Sequence, residues 1–362
     1  MDFALTETQQ EVEGLARKIF KDRVTPAALK ALEAGQVGVD LDLWKELGTT
    51  GLLGTSIPET FGGSGNGLLE LCTLLEEAGA AVAPVPLWST LACGALPIAQ
   101  FGTPEQQHKW LPAIAAGEAI IGAGFAEPGG VPFDEPRVSF EGGLLSGVKT
   151  AVLAAELAAR LVVSARGPQG PVLVLVDPRD AGVTLERQVV TSGEPAARVT
   201  FERARGEPLG PLGWTLARAT TALCALELGV AGRALRMTAE YTAQRKQFDR
   251  PIATFQAVAQ RAGDAYIDVE SIRVTLWQAA WLLAEGRDAD ARTAVAVAKL
   301  MAAEAGHRVV YAAQHLHGGI GFDRDYPLHR YYMWSRQLEL TLGSATEHLV
   351  RIGAELAQEG RR

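Results

Sequence analysis

The sequence predicts an α+β fold in which an N-terminal helical domain, a small central antiparallel β domain and a C-terminal four-helix bundle follow one another. Apolar residues recur with the 3.6-residue period of a helix up to about residue 118. Strand-length apolar runs separated by glycine and proline then occupy residues 138–205, and the helical period returns from about residue 211. These changes place the domains at 1–118, 119–206 and 207–362.

Helix-start signals support the N-terminal helical domain. Thr6 precedes an amphipathic run and can act as its N-cap. Residues 68–81 form a second amphipathic run. Thr103, Pro104 and Glu105 supply an N-cap, a proline at the first helical position and an acid in the first turn, which is typical of a helix start.

Strands are predicted in the middle of the chain. The short apolar runs that predict them are 138–140, 161–163, 172–176 and 199–201. The alanine-rich stretch 151–159 lies between strands but also fits a helix, and its assignment stays open.

Four long helical patterns predict the C-terminal bundle. They span 215–245, 255–285, 289–316 and 328–353, the last with a break. Long helices with short connections pack as a bundle. We expect this bundle to carry the main oligomer interface.

Composition excludes several classes of protein. A net charge of −8 and a pI of about 5.4 argue against nucleic-acid binding and against docking on an anionic membrane. No apolar run is long enough to span a bilayer, and the N-terminus lacks the pattern of a signal peptide, so we expect a cytoplasmic protein. The three cysteines are odd in number and far apart, which predicts buried thiols.

Residues 317–321, His-Gly-Gly-Ile-Gly, are a candidate ligand-binding segment. Glycine lets a backbone approach a ligand, and its N–H groups can bind a phosphate or an adenine edge. The alternative is a helix C-cap and turn. Arg245 keeps its charge and can pair with a pyrophosphate, and Phe248 can pack on an isoalloxazine or adenine ring. The alternative for these two residues is a solvated surface charge and a core side chain.

His315 and His317 form a His-x-His pair, which also occurs in metal sites. No Asp, Glu or Cys stands beside the pair at ligand spacing, so we expect no metal site.

Three blocks in the last third of the chain resemble the flavin-binding C-terminal domain of the acyl-CoA dehydrogenase family. Block 241–252 reads Tyr-Thr-Ala-Gln-Arg-Lys-Gln-Phe-Asp-Arg-Pro-Ile. Block 315–327 reads His-Leu-His-Gly-Gly-Ile-Gly-Phe-Asp-Arg-Asp-Tyr-Pro, and block 340–346 reads Leu-Thr-Leu-Gly-Ser-Ala-Thr. The resemblance covers nearly the full chain. It implies FAD as cofactor, an acyl-CoA substrate and electron-transfer flavoprotein as electron acceptor.

In this family the first two blocks bind the FAD of the neighbouring subunit, and the second contacts its adenosine end. The resemblance therefore assigns cofactor binding to Arg245, Phe248, His315, Gly318 and Gly319. His315 stands where the family has a glutamine, and Gln314 lies one residue earlier. An imidazole can replace an amide as a hydrogen-bond donor.

The β domain keeps less of the family pattern. Residues 126–129 read Ala-Glu-Pro-Gly, so Ala126 replaces the family's threonine near the flavin pyrimidine ring, and the Gly-Ser-Asp that follows in the family is absent. Residues 151–154, Ala-Val-Leu-Ala, replace the family's Trp-Ile-Thr-Asn beside the flavin ring. The chain therefore lacks the family side chains that would hold its own flavin. It keeps the residues that the resemblance assigns to a partner's flavin.

The catalytic base of the family is absent from its usual position. The third block usually contains a Glu that removes the substrate's α-proton, and Leu342 occupies that position. Some members carry the Glu on the first bundle helix, where this chain has Ala219. Glu227, two turns further on, is a candidate base if an apolar environment raises its pKa, and the alternative is an acid at an interface or on the helix surface. Glu339 is a weaker substitute if its helix continues to Leu342.

These substitutions lead to three hypotheses. In the first, the chain resembles the base-lacking subunit of α2β2 acyl-CoA dehydrogenases from actinobacterial steroid side-chain degradation, and it completes the FAD site of a paralogous subunit. In the second, it is an autonomous homotetrameric dehydrogenase that uses Glu227. In the third, it is a flavin-free structural or regulatory relic of the fold. The substrate of the first two is a fatty acyl or steroid side-chain CoA thioester.

Overall fold

The computed structural model describes residues 4–35 and 37–359. Its first part is helical, with α1 to α6 at Glu7–Arg23, Pro26–Glu33, Leu41–Thr49, Leu68–Ala81, Leu96–Phe101 and Pro104–Ala115, and a π-helix at Trp88–Ala95. The predicted caps are confirmed. The Thr6 side-chain oxygen accepts from the backbone N–H of Gln9 at 3.3 Å, and that of Thr103 accepts from Gln106 at 3.3 Å. Each pair is a reciprocal capping box.

A seven-stranded sheet follows within the described residues, with the strand order β1-β3-β2-β4-β5-β7-β6. Strands β1 to β7 are Ile121–Gly124, Ser139–Glu141, Leu144–Leu153, Arg160–Gly167, Gly170–Val176, Val183–Val189 and Pro195–Pro211. The sheet is mostly antiparallel, as predicted, and β1 and β2 each also pair in parallel with β4. Parallel pairing needs a long return connection, and residues 125–159 supply it between β1 and β4. The ambiguous stretch 151–159 completes β3 and then turns.

The C-terminal part is helical again, which confirms the predicted α+β fold. Helices α7 to α11 are Leu212–Gln244, Gln256–Ala284, Asp288–His317, Leu328–Leu340 and Ala345–Glu359. A hairpin of β8 (Lys246–Gln247) and β9 (Arg250–Pro251) joins α7 to α8. The predicted break in the last helix lies at residues 341–344. The domain boundaries at 118 and 206 stay predictions.

The chain divides into two compact units. The helical unit comprises Met1–Lys30, Cys72–Ala83 and Leu223–Arg362, and the sheet unit comprises Ala31–Leu71 and Pro84–Ala222. In the described ranges, no helix has the length and apolar character needed to cross a membrane. All three cysteines are buried, as predicted.

Within the helical unit, α4 and α7 cross in direct backbone contact. A Cβ atom added at Gly229 would lie 1.9 Å from the carbonyl oxygen of Glu76, and one added at Gly79 would lie 2.1 Å from that of Leu226. Only glycine permits this approach.

Candidate functional site

The hairpin after α7 presents Arg245 and Phe248 to solvent. The backbone N–H of Arg245 donates to the carbonyl oxygen of Tyr241 at 2.8 Å, and its own carbonyl accepts from Ile252 at 2.8 Å, which closes the base of the hairpin. At the tip, Phe248 and Asp249 adopt φ values of +53° and +62°. Such a turn suits a hairpin but strains residues other than glycine, and strained backbone concentrates at functional sites. Phe248 is 88% exposed, so its interpretation as a core side chain is wrong.

The end of α9 presents the glycine block. Gly318 has φ 64° and ψ −141°, and its N–H donates to the carbonyl oxygens of Gln314 and His315. The C-cap interpretation is therefore correct for Gly318, while ligand binding stays a prediction. A Cβ atom added at Gly318 or Gly319 would meet no atom within 4 Å, so this backbone is open to approach.

The two polar side chains before the glycine block, His315 and Gln314, differ in exposure. His315 lies exposed on the last turn of α9. Gln314 is buried, and its Oε1 has no hydrogen-bond partner among the described residues. His315 is therefore the side chain of this pair that a ligand outside the helix could reach.

An aromatic clasp of Tyr241, His317 and Tyr326 brings the ends of α7 and α9 together. The rings of Tyr241 and His317 stack with centroids 4.5 Å apart, and Nε2 of His317 lies 3.0 Å from the Tyr326 hydroxyl. Its Nδ1 lies 2.8 Å from the carbonyl oxygen of Ala313. This clasp was not predicted, although all three residues belong to the family-like blocks. Both ring nitrogens of His317 have hydrogen-bond partners within the clasp and α9. The described residues contain no group of three metal-ligating side chains.

The usual base position lies in the break between α10 and α11. Leu342 is 5% exposed and adopts φ +56° there, and its carbonyl oxygen lies 2.9 Å from Nε2 of His348. The helix of Glu339 ends at Leu340, so the condition under which Glu339 would share a face with Leu342 is not met. The Glu339 carboxylate instead pairs with Arg336 and lies 3.3 Å from Nδ1 of His307.

The alternative base position, Ala219 in the sheet unit, accepts a hydrogen bond from an indole at its backbone carbonyl. Trp88 of the π-helix donates its Nε1–H to the carbonyl oxygen of Ala219 at 2.8 Å and meets Phe125 edge to face. Ala219 is completely buried. This contact of Trp88 was not predicted, because it joins residues 131 positions apart.

Glu227 lies in the interior of the helical unit. It is 2% exposed, and its Oε1 accepts from the Ser335 hydroxyl at 2.7 Å, whereas Oε2 has no hydrogen-bond partner among the described residues. Burial raises the pKa of Glu227 to about 8, so the carboxyl is largely protonated at neutral pH. Its interpretation as an acid at an interface or on the helix surface is wrong.

Lys299 is a second buried titratable group near Glu227. Its ammonium donates to the carbonyl oxygens of Leu338 at 3.1 Å and Glu339 at 2.9 Å, and these belong to the last turn of α10. Burial lowers the pKa of Lys299 to about 8. The pair therefore connects α7, α9 and α10 close to the break that contains Leu342.

Gln188 of β6 accepts hydrogen bonds at the start of residues 151–154, the stretch that stands where the family has its flavin-ring segment. Its Oε1 accepts from the backbone N–H of Ala151 at 2.8 Å and from the Thr150 hydroxyl at 3.0 Å. Ala151 has φ +50° at a shift in strand register. Ala126 adds no hydroxyl to this surface, and its carbonyl oxygen accepts from the backbone N–H of Thr150.

A buried ion pair fixes the segment that contains Ala126. The completely buried Lys149 donates to Oε1 of Glu127 at 2.7 Å, to the Ser164 hydroxyl at 2.7 Å and to the carbonyl oxygen of Phe125 at 3.2 Å. Burial lowers the pKa of Lys149 to about 8 despite the adjacent carboxylate. Lys149 therefore ties the segment that contains Ala126 to strands β3 and β4.

Fold and blocks together define a flavoprotein oxidoreductase of the acyl-CoA dehydrogenase type. The family model for the acyl-CoA dehydrogenase N-terminal domain matches residues 6–118, and the model for the C-terminal domain matches residues 212–357. The chain belongs to the acyl-CoA dehydrogenase family.

Similar proteins match the chain over nearly its whole length. The acyl-CoA dehydrogenase FadE27 of Mycobacterium tuberculosis is 37% identical over 99% of both chains. A chain of a variant of the steroid ACAD Tcur3481-Tcur3483 is 45% identical, with a TM-score of 0.95 over 98% of this chain and 99% of that one. A chain of the ChsE4-ChsE5 complex from Mycobacterium tuberculosis is 37% identical, with a TM-score of 0.93 over 99% of both.

Proposed function

We propose that this chain is the base-lacking subunit of a heteromeric FAD-dependent acyl-CoA dehydrogenase in the cytoplasm. One observation carries the proposal. Both positions at which the family places its base hold buried apolar residues, Leu342 and Ala219. The residues assigned to a partner's flavin, in contrast, are exposed in the helical unit.

α,β-Dehydrogenation of a CoA thioester removes a proton from Cα while a hydride leaves Cβ. FAD supplies the acceptor for that hydride. The proton needs a carboxylate within hydrogen-bond reach, and loss of a general base costs a factor of about 10²–10⁴ in rate. Neither leucine nor alanine can accept a proton, so the base comes from a partner subunit.

The residues of this chain fit the adenosine diphosphate end of a partner's FAD. Arg245 is exposed and always charged, so it can donate charge-assisted bonds to a phosphate. Phe248 offers an exposed ring for stacking, and the open backbone at Gly318 and Gly319 can approach the ligand closely. His315 supplies a donor where the family has an amide.

The segments of this chain that would hold its own flavin lack the family's side chains, so a partner is needed for a complete flavin site. Gln188 already binds the backbone at Ala151, and Ala126 lacks the hydroxyl of the family's threonine. Ala219 is completely buried, and its carbonyl oxygen already accepts from the Trp88 indole. These three features argue for a supporting role in the assembly.

The relatives support a paralogous partner and a steroid-type acyl group. One solved relative is a complex of two differently named chains, and the other is called a steroid ACAD. We extend both properties to this chain as part of the proposal, as an α2β2 assembly acting on a CoA thioester. Electron-transfer flavoprotein is the electron acceptor that the family implies.

Purification with and without a co-expressed paralogue tests whether this chain needs a partner subunit for flavin binding and activity. We expect the chain alone to be colourless and inactive, and the co-purified complex to contain flavin and to dehydrogenate an acyl-CoA. A yellow, active chain on its own would refute the proposal. A colourless chain that no paralogue activates would favour the structural relic.

Arg245→Ala tests the flavin assignment. Removing the guanidinium deletes charge-assisted bonds worth about 1.5–3 kcal/mol each, so the flavin content of the complex should fall. Arg292→Ala, at an exposed position on α9, is the matched control. Equal flavin content in the Arg245 variant and the control would show that Arg245 does not hold the cofactor.

Glu227→Gln separates this proposal from the autonomous enzyme. If Glu227 were the base, its loss would lower kcat by about 10²-fold or more. We expect turnover of the complex to change little, because the Glu227 carboxyl is enclosed by α7, α9 and α10. Mutation of the paralogue's own catalytic Glu, at the family position that Leu342 or Ala219 occupies here, should abolish turnover.

A further inference from the structure

The helical unit contains a cavity of about 670 Å³ that neither the base positions nor the flavin-contact residues line. It lies between α1, α2, α4, α7 and the start of α10. Apolar side chains form much of its wall, including the buried Phe20, Leu29 and Met237. Its volume is that of a site for a small organic molecule.

The acidic residues of the wall are paired with two of its arginines. Arg17 pairs with Glu77 at 2.7 Å and with Glu13 at 2.8 Å. Arg273 pairs with Glu76 at 3.0 Å. With three carboxylates and two guanidinium groups, these five side chains carry one net negative charge.

Further cations face the same cavity from α1 and α7. Arg233 and Arg236 lie one turn apart on α7, and Lys21 contributes from α1. The ion pair between Arg233 and Glu240 is long, at 3.5 Å, and the Arg233 side chain is 37% exposed. The cavity thus has positive charge beyond what its own acids neutralise.

Tyr331 marks where this charge is concentrated. Its hydroxyl donates to the carbonyl oxygen of Ala80 at 2.9 Å. Burial raises the pKa of Tyr331, and the positive charges of Arg233, Arg236 and Arg330 act against that rise, so these guanidinium groups lie near one phenol. Clustered arginines recognise carboxylate and phosphate groups.

Two glycines of α7 border the cavity and differ in the space around them. Gly229 is closed by the crossing with α4 described above. A Cβ atom at Gly232, in contrast, would meet only Nη1 of Arg236 at 3.7 Å and a Val269 methyl carbon at 4.0 Å. A side chain placed at residue 232 would therefore enter the cavity without a backbone collision.

We propose that this cavity binds an amphipathic anion, an apolar chain or ring system with one terminal carboxylate or phosphate. The apolar body packs on Phe20, Leu29 and Met237, and the anionic group pairs with Arg233 and Arg236. The site is separate from the flavin-contact residues, so its occupancy does not depend on the proposed dehydrogenase reaction.

Calorimetric titration of the full chain, in the assembly in which it purifies, tests this assignment with four matched C10 probes. These are decanoate, decyl phosphate, decanol and decyltrimethylammonium, each below its micelle concentration. We expect one saturable site for at least one anion, bound tenfold or more tightly than the neutral and cationic probes. Comparison of decanoate with decyl phosphate identifies the head group. Equal binding of all four probes, or no saturable binding, would overturn the proposal.

Variants locate the site. Gly232→Leu should abolish anion binding by filling the cavity, and Arg236→Gln should weaken it about tenfold or more, as expected for a lost charge-assisted bond. Arg292→Gln, on the exposed surface of α9, should bind as the parent does. If Gly232→Leu does not fold, the Arg233→Gln/Arg236→Gln double variant serves instead. Unchanged affinity in a folded cavity variant would place the bound probe elsewhere and refute the site.

Discussion

The buried carboxyl of Glu227 should make the stability of this protein fall as the pH rises through neutrality. Its pKa is about 8 in the folded chain, whereas the ordinary value is 4.5. The folded state therefore holds the proton more tightly than the unfolded state does. The resulting stabilisation is complete below pH 4.5 and is lost progressively up to about pH 8.

The size of the effect follows from the same values. Each pH unit between the two pKa values is worth about 1.4 kcal/mol, which gives a loss of about 3 kcal/mol between pH 5 and pH 7.5. Lys299 has the opposite sign, because burial lowers its pKa from 10.5 to about 8. Its stabilisation is lost as the pH falls from 10.5 towards 8, so it changes little in the range measured.

Urea denaturation of Glu227→Gln at pH 5 and pH 7.5 measures the effect. Relative to the parent, the variant should gain about 3 kcal/mol in unfolding free energy on going from pH 5 to pH 7.5, because glutamine does not titrate. Glu285→Gln makes the same chemical change at the exposed end of α8 and should follow the parent. Parallel curves for the parent and Glu227→Gln would refute the buried-proton argument.

Two further predictions concern backbone contact and buried charge. Gly229→Ala should destabilise the chain by about 1–3 kcal/mol or more, since the new Cβ would lie 1.9 Å from the Glu76 carbonyl oxygen. Gly263→Ala, at an open helical position, should stabilise it by about 0.5–1 kcal/mol, and equal urea midpoints for the two would contradict the close crossing. Lys149→Met should cost about 3–5 kcal/mol by leaving the Glu127 carboxylate buried and unpaired. Adding Glu127→Gln should recover much of that loss in the same assay, and a recovery of nothing would count against the ion pair as the cause.

Local signals allowed most of the fold to be predicted. Thr6 and Thr103 act within three residues of themselves, so their capping boxes are legible in the sequence. The long helices show their period directly. The parallel pairing of β1 with β4 was not predictable in this way, because register between distant strands depends on tertiary packing.

The candidate site, like the fold, was predictable from the sequence only in part. The positions of Leu342 and Ala219 were assigned by counting along the chain from family-like residues, and that assignment stays a prediction. The contact of Trp88 with Ala219 and the burial of Glu227 depend on packing between segments far apart in sequence. Glu227 was predicted to be either a base in an apolar environment or an acid at an interface or on the helix surface, and its burial in three dimensions excludes the second.

The composition of the helical unit has a consequence for synthesis on the ribosome. Helix α1 belongs to a unit whose remaining segments are Cys72–Ala83 and Leu223–Arg362. At about 5–20 residues per second, the ribosome needs about 10–40 s after α1 emerges before residue 223 is made. During that time, α1 can contact only the segment Cys72–Ala83 of its own unit, because the bundle helices have not been made. Nascent chains of this protein should therefore depend on chaperones that bind at the ribosome. A fragment that ends before α7 should aggregate when expressed alone.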